Sequence, residues 1–104
     1  MTTIKRLPTH PGDLLKEELE ARGITQKEFS MKTGISYTML NEILNCKRAV
    51  TADIALVMEA ALGVNPEMLM NMQNRYNMAQ SKMKPTMISN LDHIRKMCAS
   101  WLLA

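Results

Sequence analysis

The sequence predicts an all-α protein in which five helices are followed by an additional helix near the C-terminus. Apolar residues recur at steps of three and four, which gives each segment one apolar side. Capping residues, prolines and glycines separate these segments. No segment shows the sustained alternation of apolar and polar residues that is typical of a half-buried strand. Eleven of the 104 residues are methionine, and methionine favours helix packing, so the composition agrees with this fold class.

The boundaries of the predicted helices follow from local start and stop signals. Thr25 and Glu28 have the spacing of a capping box, in which a hydroxyl caps the helix and a carboxylate follows three residues later. Gly34 supplies the left-handed residue with which many helices end. The predicted helices are residues 11–22, about 26–33, a third that follows Ser36, a fourth between Thr51 and Gly63, about 66–83, and a short sixth from Ser89 onward.

The chain divides into an N-terminal arm over residues 1–10, a helical domain over 11–83 and a C-terminal extension over 84–104. Pro85 interrupts the chain between the last two, and the stretch SKMKPT around it predicts a short hinge. The extension is expected to be helical, because apolar residues recur there at helical spacing. These residues are Leu91, Ile94, Cys98, Trp101 and Leu102.

One stretch of the domain has the features of two short helices that cross at a steep angle. Such a crossing requires a small residue at the contact and a permissive turn. Ser30 is the small residue, and Gly34 is the turn residue that can take a positive φ. Apolar anchors at suitable offsets are Phe29, Ile35, Leu40 and Ile43. Together these features predict a helix-turn-helix over about residues 25–48.

A helix-turn-helix that docks on DNA places the start of its second helix in the major groove. Asn41 is the best candidate for a base contact, because a carboxamide can pair bidentately with adenine. Gln26, at the start of the preceding helix, is placed to reach a phosphate. The complete set of predicted DNA-binding residues is Gln26, Ser36, Tyr37, Thr38, Asn41, Lys47 and Arg48.

Each of these assignments has a plainer alternative. Asn41 could stabilise a local turn instead of contacting a base. Lys47 and Arg48, which could grip the DNA backbone, could equally be a solvated pair of charges. The same helical arrangement also occurs in structural modules that do not bind DNA.

The fourth predicted helix is apolar nearly all round, so it must be buried on several sides. Ile54 and Val57 cannot face the same core as Met58. We therefore expect Ile54 and Val57, with Met68 and Met72 of the fifth helix, to form an interface with a second copy or another protein. The alternative is that helices five and six cover them within one chain.

Composition restricts the compartment and the partners only weakly. The formal net charge of +3 is compatible with a polyanionic partner and does not require one. Cys46 and Cys98 lie far apart and lack metal-ligand spacing, which favours a reduced compartment. The N-terminus has no apolar stretch typical of a signal peptide, and no apolar run approaches the roughly 20 residues that span a membrane. We therefore expect a cytoplasmic protein without a membrane partner.

The sequence contains no motif for catalysis, a cofactor or a metal. His10 and His93 are the only histidines, and neither has a nucleophile motif beside it. There is no Gly-rich phosphate loop and no Cys/His cluster. We therefore expect no enzymatic activity, no cofactor and no metal site.

Longer motifs carry a resemblance to a known family. HPGDLLKEELEARGITQKEFS, followed by LNEILNCKRAVTADIALVMEAALGVNPEMLMNMQNRY, resembles the HigA (VapI-type) antitoxins of the Xre/Cro-like superfamily over about residues 9–80. The resemblance implies a lambda-repressor-like domain that binds double-stranded operator DNA as a homodimer and represses its own operon. It further implies neutralisation of a RelE/HigB-like, mRNA-cleaving toxin, for which the four interface residues are also candidates. A stand-alone Xre-type repressor, or an interaction module that uses residues 88–103 as its binding helix, remains the alternative.

The chain departs from this family pattern at three places. Tyr37 stands where the family often has arginine, which removes a guanidinium that could contact guanine. Cys46 replaces the glycine expected before Lys47, so the turn there could differ. The tail after about Ser81 matches no family motif.

Overall fold

The computed structural model describes residues 7–103 of the chain, and this range contains six helices and no strand. They are α1 (Pro11–Ala21), α2 (Gln26–Thr33), α3 (Tyr37–Leu44), α4 (Ala52–Leu62), α5 (Pro66–Lys82) and α6 (Pro85–Leu103). The predicted all-α class is therefore confirmed. Most of the predicted N-terminal arm lies outside the described residues.

The helix ends confirm the predicted start and stop signals. The Thr25 hydroxyl oxygen accepts a hydrogen bond from the Glu28 N–H, at 3.1 Å, and donates to the Glu28 carboxylate, also at 3.1 Å. Gly34 and Gly63 end α2 and α4 with φ angles of 80° and 72°. These left-handed conformations cost glycine little, because it has no Cβ.

One apolar core joins the first five helices. Its fully buried members include Leu15 of α1, Leu40 and Ile43 of α3, Met58 of α4 and Leu69 of α5. Burying such a side chain contributes about 1.5–3 kcal/mol relative to leaving it exposed. The apolar side of α3 is therefore fixed in the core, and its other side is left toward solvent.

The start of α1 packs directly against the backbone of α3. A Cβ at Gly12 would overlap with the carbonyl oxygen of Ile43, so only glycine permits this approach. His10 caps α1, because its Nδ1 atom accepts a hydrogen bond of 2.9 Å from the Gly12 N–H. The buried His10 ring meets the Tyr76 ring of α5 edge-on, with centroids 4.8 Å apart.

The C-terminal helix is longer than the sequence predicted, and the hinge before it is shorter. Only Met83 and Lys84 lie outside helices between α5 and α6. Pro85 begins α6 instead of interrupting the chain, because proline fits the first helical turn, where its missing N–H is not needed. The predicted hinge over residues 81–86 and the predicted start at Ser89 were therefore wrong.

α6 extends away from the other helices. α5 is the only helix with which α6 makes more than a marginal contact. The radius of gyration is 18.3 Å, compared with about 13 Å for a compact chain of this length. The longest dimension is 58 Å. Most of α6 therefore projects into solvent. None of the helices in the described range is long and apolar enough to cross a membrane.

Candidate nucleic-acid interface

The turn between α2 and α3 is held by hydrogen bonds from small side chains. The Ser30 hydroxyl donates to the Ile35 carbonyl oxygen at 2.6 Å. Thr33 donates to the Phe29 carbonyl oxygen at 2.7 Å and accepts from the Ile35 N–H at 3.3 Å. Phe29 and Ile35 are buried beneath the turn. The predicted crossing of two short helices is thus formed, with Ser30 and Gly34 in the predicted roles.

The beginning of α3 faces solvent. Ser36, Tyr37 and Thr38 are all exposed, while Leu40, one turn further on, is fully buried. The Ser36 hydroxyl oxygen also caps α3 by accepting from the Met39 N–H at 3.1 Å. Its hydroxyl proton remains able to donate to a phosphate or a base.

Asn41 and Gln26 are joined side chain to side chain. The Asn41 Nδ2 atom donates to Gln26 Oε1 at 3.0 Å, which links α3 to the first residue of α2. Asn41 keeps its Oδ1 acceptor and one N–H, and Gln26 keeps both N–H donors, because each carboxamide has two donors and a carbonyl oxygen. The sequence analysis treated the two residues separately, and the structure brings them together.

The turn after α3 has the geometry of a Schellman motif. The Lys47 N–H donates to the Glu42 carbonyl oxygen at 2.8 Å, and the Cys46 N–H donates to that of Ile43 at 3.1 Å. Cys46 occupies the left-handed position with a φ of 62° and is the only non-glycine residue with a positive φ in the described range. The turn that a glycine would form is therefore kept, at the cost of backbone strain in Cys46.

The thiol of Cys46 is held against α1. Its Sγ atom donates to the Asp13 carboxylate at 3.3 Å. Burial, together with the hydrogen bond to Asp13 and its negative charge, raises the pKa of this thiol to about 11. The thiol is therefore protonated near neutral pH and is a poor nucleophile.

The two predicted backbone cations have different surroundings. Lys47 is exposed. Arg48 forms a salt bridge of 3.0 Å with Glu42 of α3, which sequence analysis did not identify. An exposed ion pair of this kind contributes at most about 1 kcal/mol, so it does not prevent Arg48 from moving to a phosphate.

Gln73 holds the loop that follows Lys47 and Arg48. The sequence analysis gave Gln73 no role. Its side chain is 4% exposed. The Oε1 atom accepts from the Val50 N–H at 2.8 Å, and Nε2 donates to Asn77 Oδ1 at 2.9 Å. The only sequence signal was its place in the segment NPEMLMNMQNRY, which carries part of the family resemblance. In the structure this side chain bridges α5 and the loop before α4.

The predicted protein-contact residues do not share one groove. Ile54 and Val57 are half-buried at the edge of the core, Met72 is half-buried, and Met68 is 41% exposed. A groove between α4 and α5 is lined instead by residues that include Leu56 and Met70. Ile54 lines a different groove, between α3 and α4.

Comparison with known proteins agrees with this geometry. A family model described as helix-turn-helix matches residues 15–69, the region that contains α2, α3 and α4. The antitoxin HigA-1 of Vibrio cholerae is 33% identical over 99 residues, which cover 86% of this chain and 93% of the relative. The chain belongs to the HigA-type antitoxins of the Xre helix-turn-helix family. This is a family of DNA-binding regulators and not a class of enzymes.

Two solved structures of similar proteins have the same fold. The HigA-family antidote protein from Coxiella burnetii is 31% identical and superimposes with a TM-score of 0.67, over 74% of this chain and 85% of that one. A Pseudomonas aeruginosa protein in complex with its 18-base-pair operator DNA is 26% identical, with a TM-score of 0.67 over 74% of this chain and 84% of that one.

Proposed function

We propose that this HigA-type chain binds its operator as a homodimer, represses its own operon and neutralises a RelE/HigB-like, mRNA-cleaving toxin. The observation that carries the DNA-binding part is the solvent-facing start of α3, next to the bonded pair of Asn41 and Gln26. The Pseudomonas aeruginosa relative in complex with operator DNA supports it.

Asn41 is the proposed base-reading residue, and Gln26 is the proposed phosphate contact that also orients it. With its Nδ2 atom held by Gln26, the Asn41 carboxamide has a fixed plane, so less side-chain entropy is lost when a base is bound. Tyr37 and Thr38 extend the contact surface along α3. Ser36 contributes its hydroxyl and the N–H groups at the helix start.

Lys47 and Arg48 are the proposed backbone cations, because they follow α3 directly and carry charge next to its exposed side. Lys47 is exposed, so its ammonium group can reach a phosphate directly. Arg48 would exchange Glu42 for a phosphate. Such contacts position the protein without reading sequence.

The homodimer follows from the geometry of helix-turn-helix recognition, since one copy reads too few bases for high specificity. Ile54, Val57, Met68 and Met72 are proposed as residues that contact a protein partner, either a second copy or the toxin. Their partial exposure at the edge of the core leaves apolar area for such a contact.

Toxin neutralisation is tested by co-expressing this chain with the product of the adjacent open reading frame, followed by a pull-down and a growth assay. We expect the neighbouring protein to inhibit growth alone and to become harmless when this chain binds it. The DNA duplex upstream of the gene is tested in parallel by fluorescence anisotropy, with a duplex of scrambled sequence as the control.

The two assays separate the proposal from its alternative. If the duplex binds specifically but no neighbouring protein is captured or toxic, the chain is a stand-alone Xre-type repressor. If the duplex binds no better than the scrambled control, the operator assignment is wrong.

A further inference from the structure

The exposed side of α3 lacks the side chains that most often read guanine. Neither lysine nor arginine occurs among the eight residues of this helix, Tyr37–Leu44. Guanine presents two acceptors, O6 and N7, in the major groove, and an arginine or lysine that donates to both is its commonest partner. The side chains that α3 turns away from the core are those of Tyr37, Thr38, Asn41 and Glu42.

Glu42, the one charged residue of α3, is directed toward the proposed backbone contacts. Its carboxylate accepts from the Arg48 guanidinium at 3.0 Å, and Arg48 lies beyond the end of the helix. A carboxylate that faced the bases would accept from the N4 amino group of cytosine. Because Glu42 lies beside a cation that is proposed to contact phosphate, the bases are left to the three uncharged side chains.

The bond between Asn41 and Gln26 determines which base Asn41 matches. One N–H of Asn41 Nδ2 donates to Gln26 Oε1 at 3.0 Å, which leaves one N–H donor and the Oδ1 acceptor. Adenine presents the complementary set, an acceptor at N7 and a donor at the N6 amino group. Guanine presents two acceptors and would leave Oδ1 without a donor, which is costly in a desolvated interface.

Tyr37 and Thr38 place apolar groups beside Asn41. They precede Asn41 by four and three positions, so the three side chains are neighbours on one side of the helix. Tyr37 is 53% exposed, and Thr38 is exposed as well. A ring or a threonine methyl group in the major groove makes apolar contact with the C5-methyl group of thymine, which no other DNA base carries.

We propose that α3 reads A·T base pairs at the centre of each operator half-site. Asn41 contacts the N6 and N7 atoms of one adenine, and the Tyr37 ring and the Thr38 methyl group contact the methyl groups of thymines in the neighbouring pairs. This inference rests on the proposed operator binding and specifies the bases that the surface reads.

Selection from a pool of duplexes with a randomised stretch tests the choice of bases. The natural chain should enrich sequences that share a core of A·T pairs. Tyr37→Arg should enrich a guanine at one position of this core, because two of its N–H groups match O6 and N7. Gln80→Arg adds the same side chain at an exposed site of α5 and should enrich the same core as the natural chain.

The outcomes separate this inference from operator binding itself. Enrichment of a core of G·C pairs by the natural chain would overturn the inference and leave operator binding intact. A pool from which no sequence is enriched would overturn both. If Tyr37→Arg is folded by circular dichroism and still enriches the natural core, the assignment of Tyr37 to the bases is wrong.

Changes of single groups in the selected duplex test the individual contacts. 7-Deazaadenine replaces N7 by carbon and should weaken binding by the natural chain roughly 2–10-fold at one adenine of each half-site, the value of one hydrogen bond. The same duplex should bind Asn41→Ala no more weakly than the unmodified one does, because that variant has already lost the contact.

Uracil in place of a neighbouring thymine removes only the methyl group. It should weaken binding by the natural chain roughly 4-fold, the effect of burying one group of this size. Thymines outside the selected core are the control and should tolerate the change. An unchanged affinity after every uracil replacement in the core would overturn the methyl contacts. An equal effect of 7-deazaadenine on the natural chain and on Asn41→Ala would overturn the adenine contact.

Discussion

The carboxamides of Asn41 and Gln26, fifteen positions apart in the sequence, meet in a hydrogen bond of 3.0 Å that joins the two helices of the helix-turn-helix. The bond leaves part of each group free for DNA. The contributions that we propose for the two residues in DNA binding are therefore interdependent, because both depend on this bond.

Asn41→Ala should weaken operator binding by about 1–3 kcal/mol and relax the preference at one base pair. Gln26→Ala should cost less, and the double variant should cost less than the sum of the two, because the single changes remove the same bond. Anisotropy titrations with the operator and single-base variants measure this. Asn74→Ala, an exposed amide in α5, is the control. Strictly additive losses would contradict the coupling.

Lys47→Ala should weaken binding to operator and scrambled DNA alike and should reduce the slope of log K against log salt by about 0.9. The reason is that one phosphate contact releases about one counterion. Titrations at several salt concentrations provide the slope. Lys96→Ala removes an equal charge from α6 as the control, and an unchanged slope for Lys47→Ala would argue against a phosphate contact.

Cys46→Gly should raise the free energy of unfolding by about 0.5–1 kcal/mol, because glycine adopts the positive φ of this position without the strain of a Cβ. The weak thiol bond to Asp13 offsets part of the gain. Urea unfolding measures the change. Cys46→Ala keeps a Cβ at this φ and should not stabilise, so equal gains for both variants would refute a backbone origin.

Stability should fall as the pH drops below about 6.5, because burial lowers the pKa of His10 in the folded state. The unfolded chain then binds the proton more readily, so the contribution of neutral His10 is complete above the unfolded pKa and is lost as the pH falls toward the folded one. The negative charge of Asp13 opposes this lowering of the His10 pKa, so the stability is lost over a narrower range of pH. Thermal unfolding from pH 8 to pH 5 follows it.

Two single variants test whether His10 causes this pH dependence of stability. His10→Asn keeps a capping acceptor but has no proton to gain, so its stability should change less over the same range. His93→Asn replaces the exposed histidine of α6 and should behave as the natural chain does. The assignment fails if His93→Asn removes the dependence.

Gln73→Leu should destabilise the fold by about 1–3 kcal/mol, because it leaves the buried Val50 N–H without a partner. Gln80→Leu, at an exposed site of the same helix, should change little. Urea unfolding compares the two. A mild loss for Gln73→Leu would mean that water replaces the lost acceptor.

Local signals explain which parts of the fold the sequence could predict. The caps at Thr25 and Ser36 and the stops at Gly34 and Gly63 depend on residues within one helical turn, and all four are formed as expected. Pro85 failed as a signal because proline both breaks a helix and begins one. Which of the two effects proline has depends on whether the residues after it form a helix.

Contacts between distant residues were beyond the sequence signals. Nothing in the pattern pairs Gln26 with Asn41, or Gln73 with the Val50 N–H, because each bond requires the helices to be packed first. The DNA-contact and interface residues stay predictions, since their tests need the partner.

The close approach of Gly12 to the Ile43 carbonyl fixes the position of α3, the proposed DNA-reading helix, relative to α1. Because the contact is made by main-chain atoms, no side-chain repacking can absorb a larger residue at position 12. A substitution there would displace α3 and should be scored in a genetic screen as loss of operator recognition, although the altered residue lies on neither helix of the helix-turn-helix. Mutational maps of the proposed DNA-binding surface should therefore include a position that lies outside that surface.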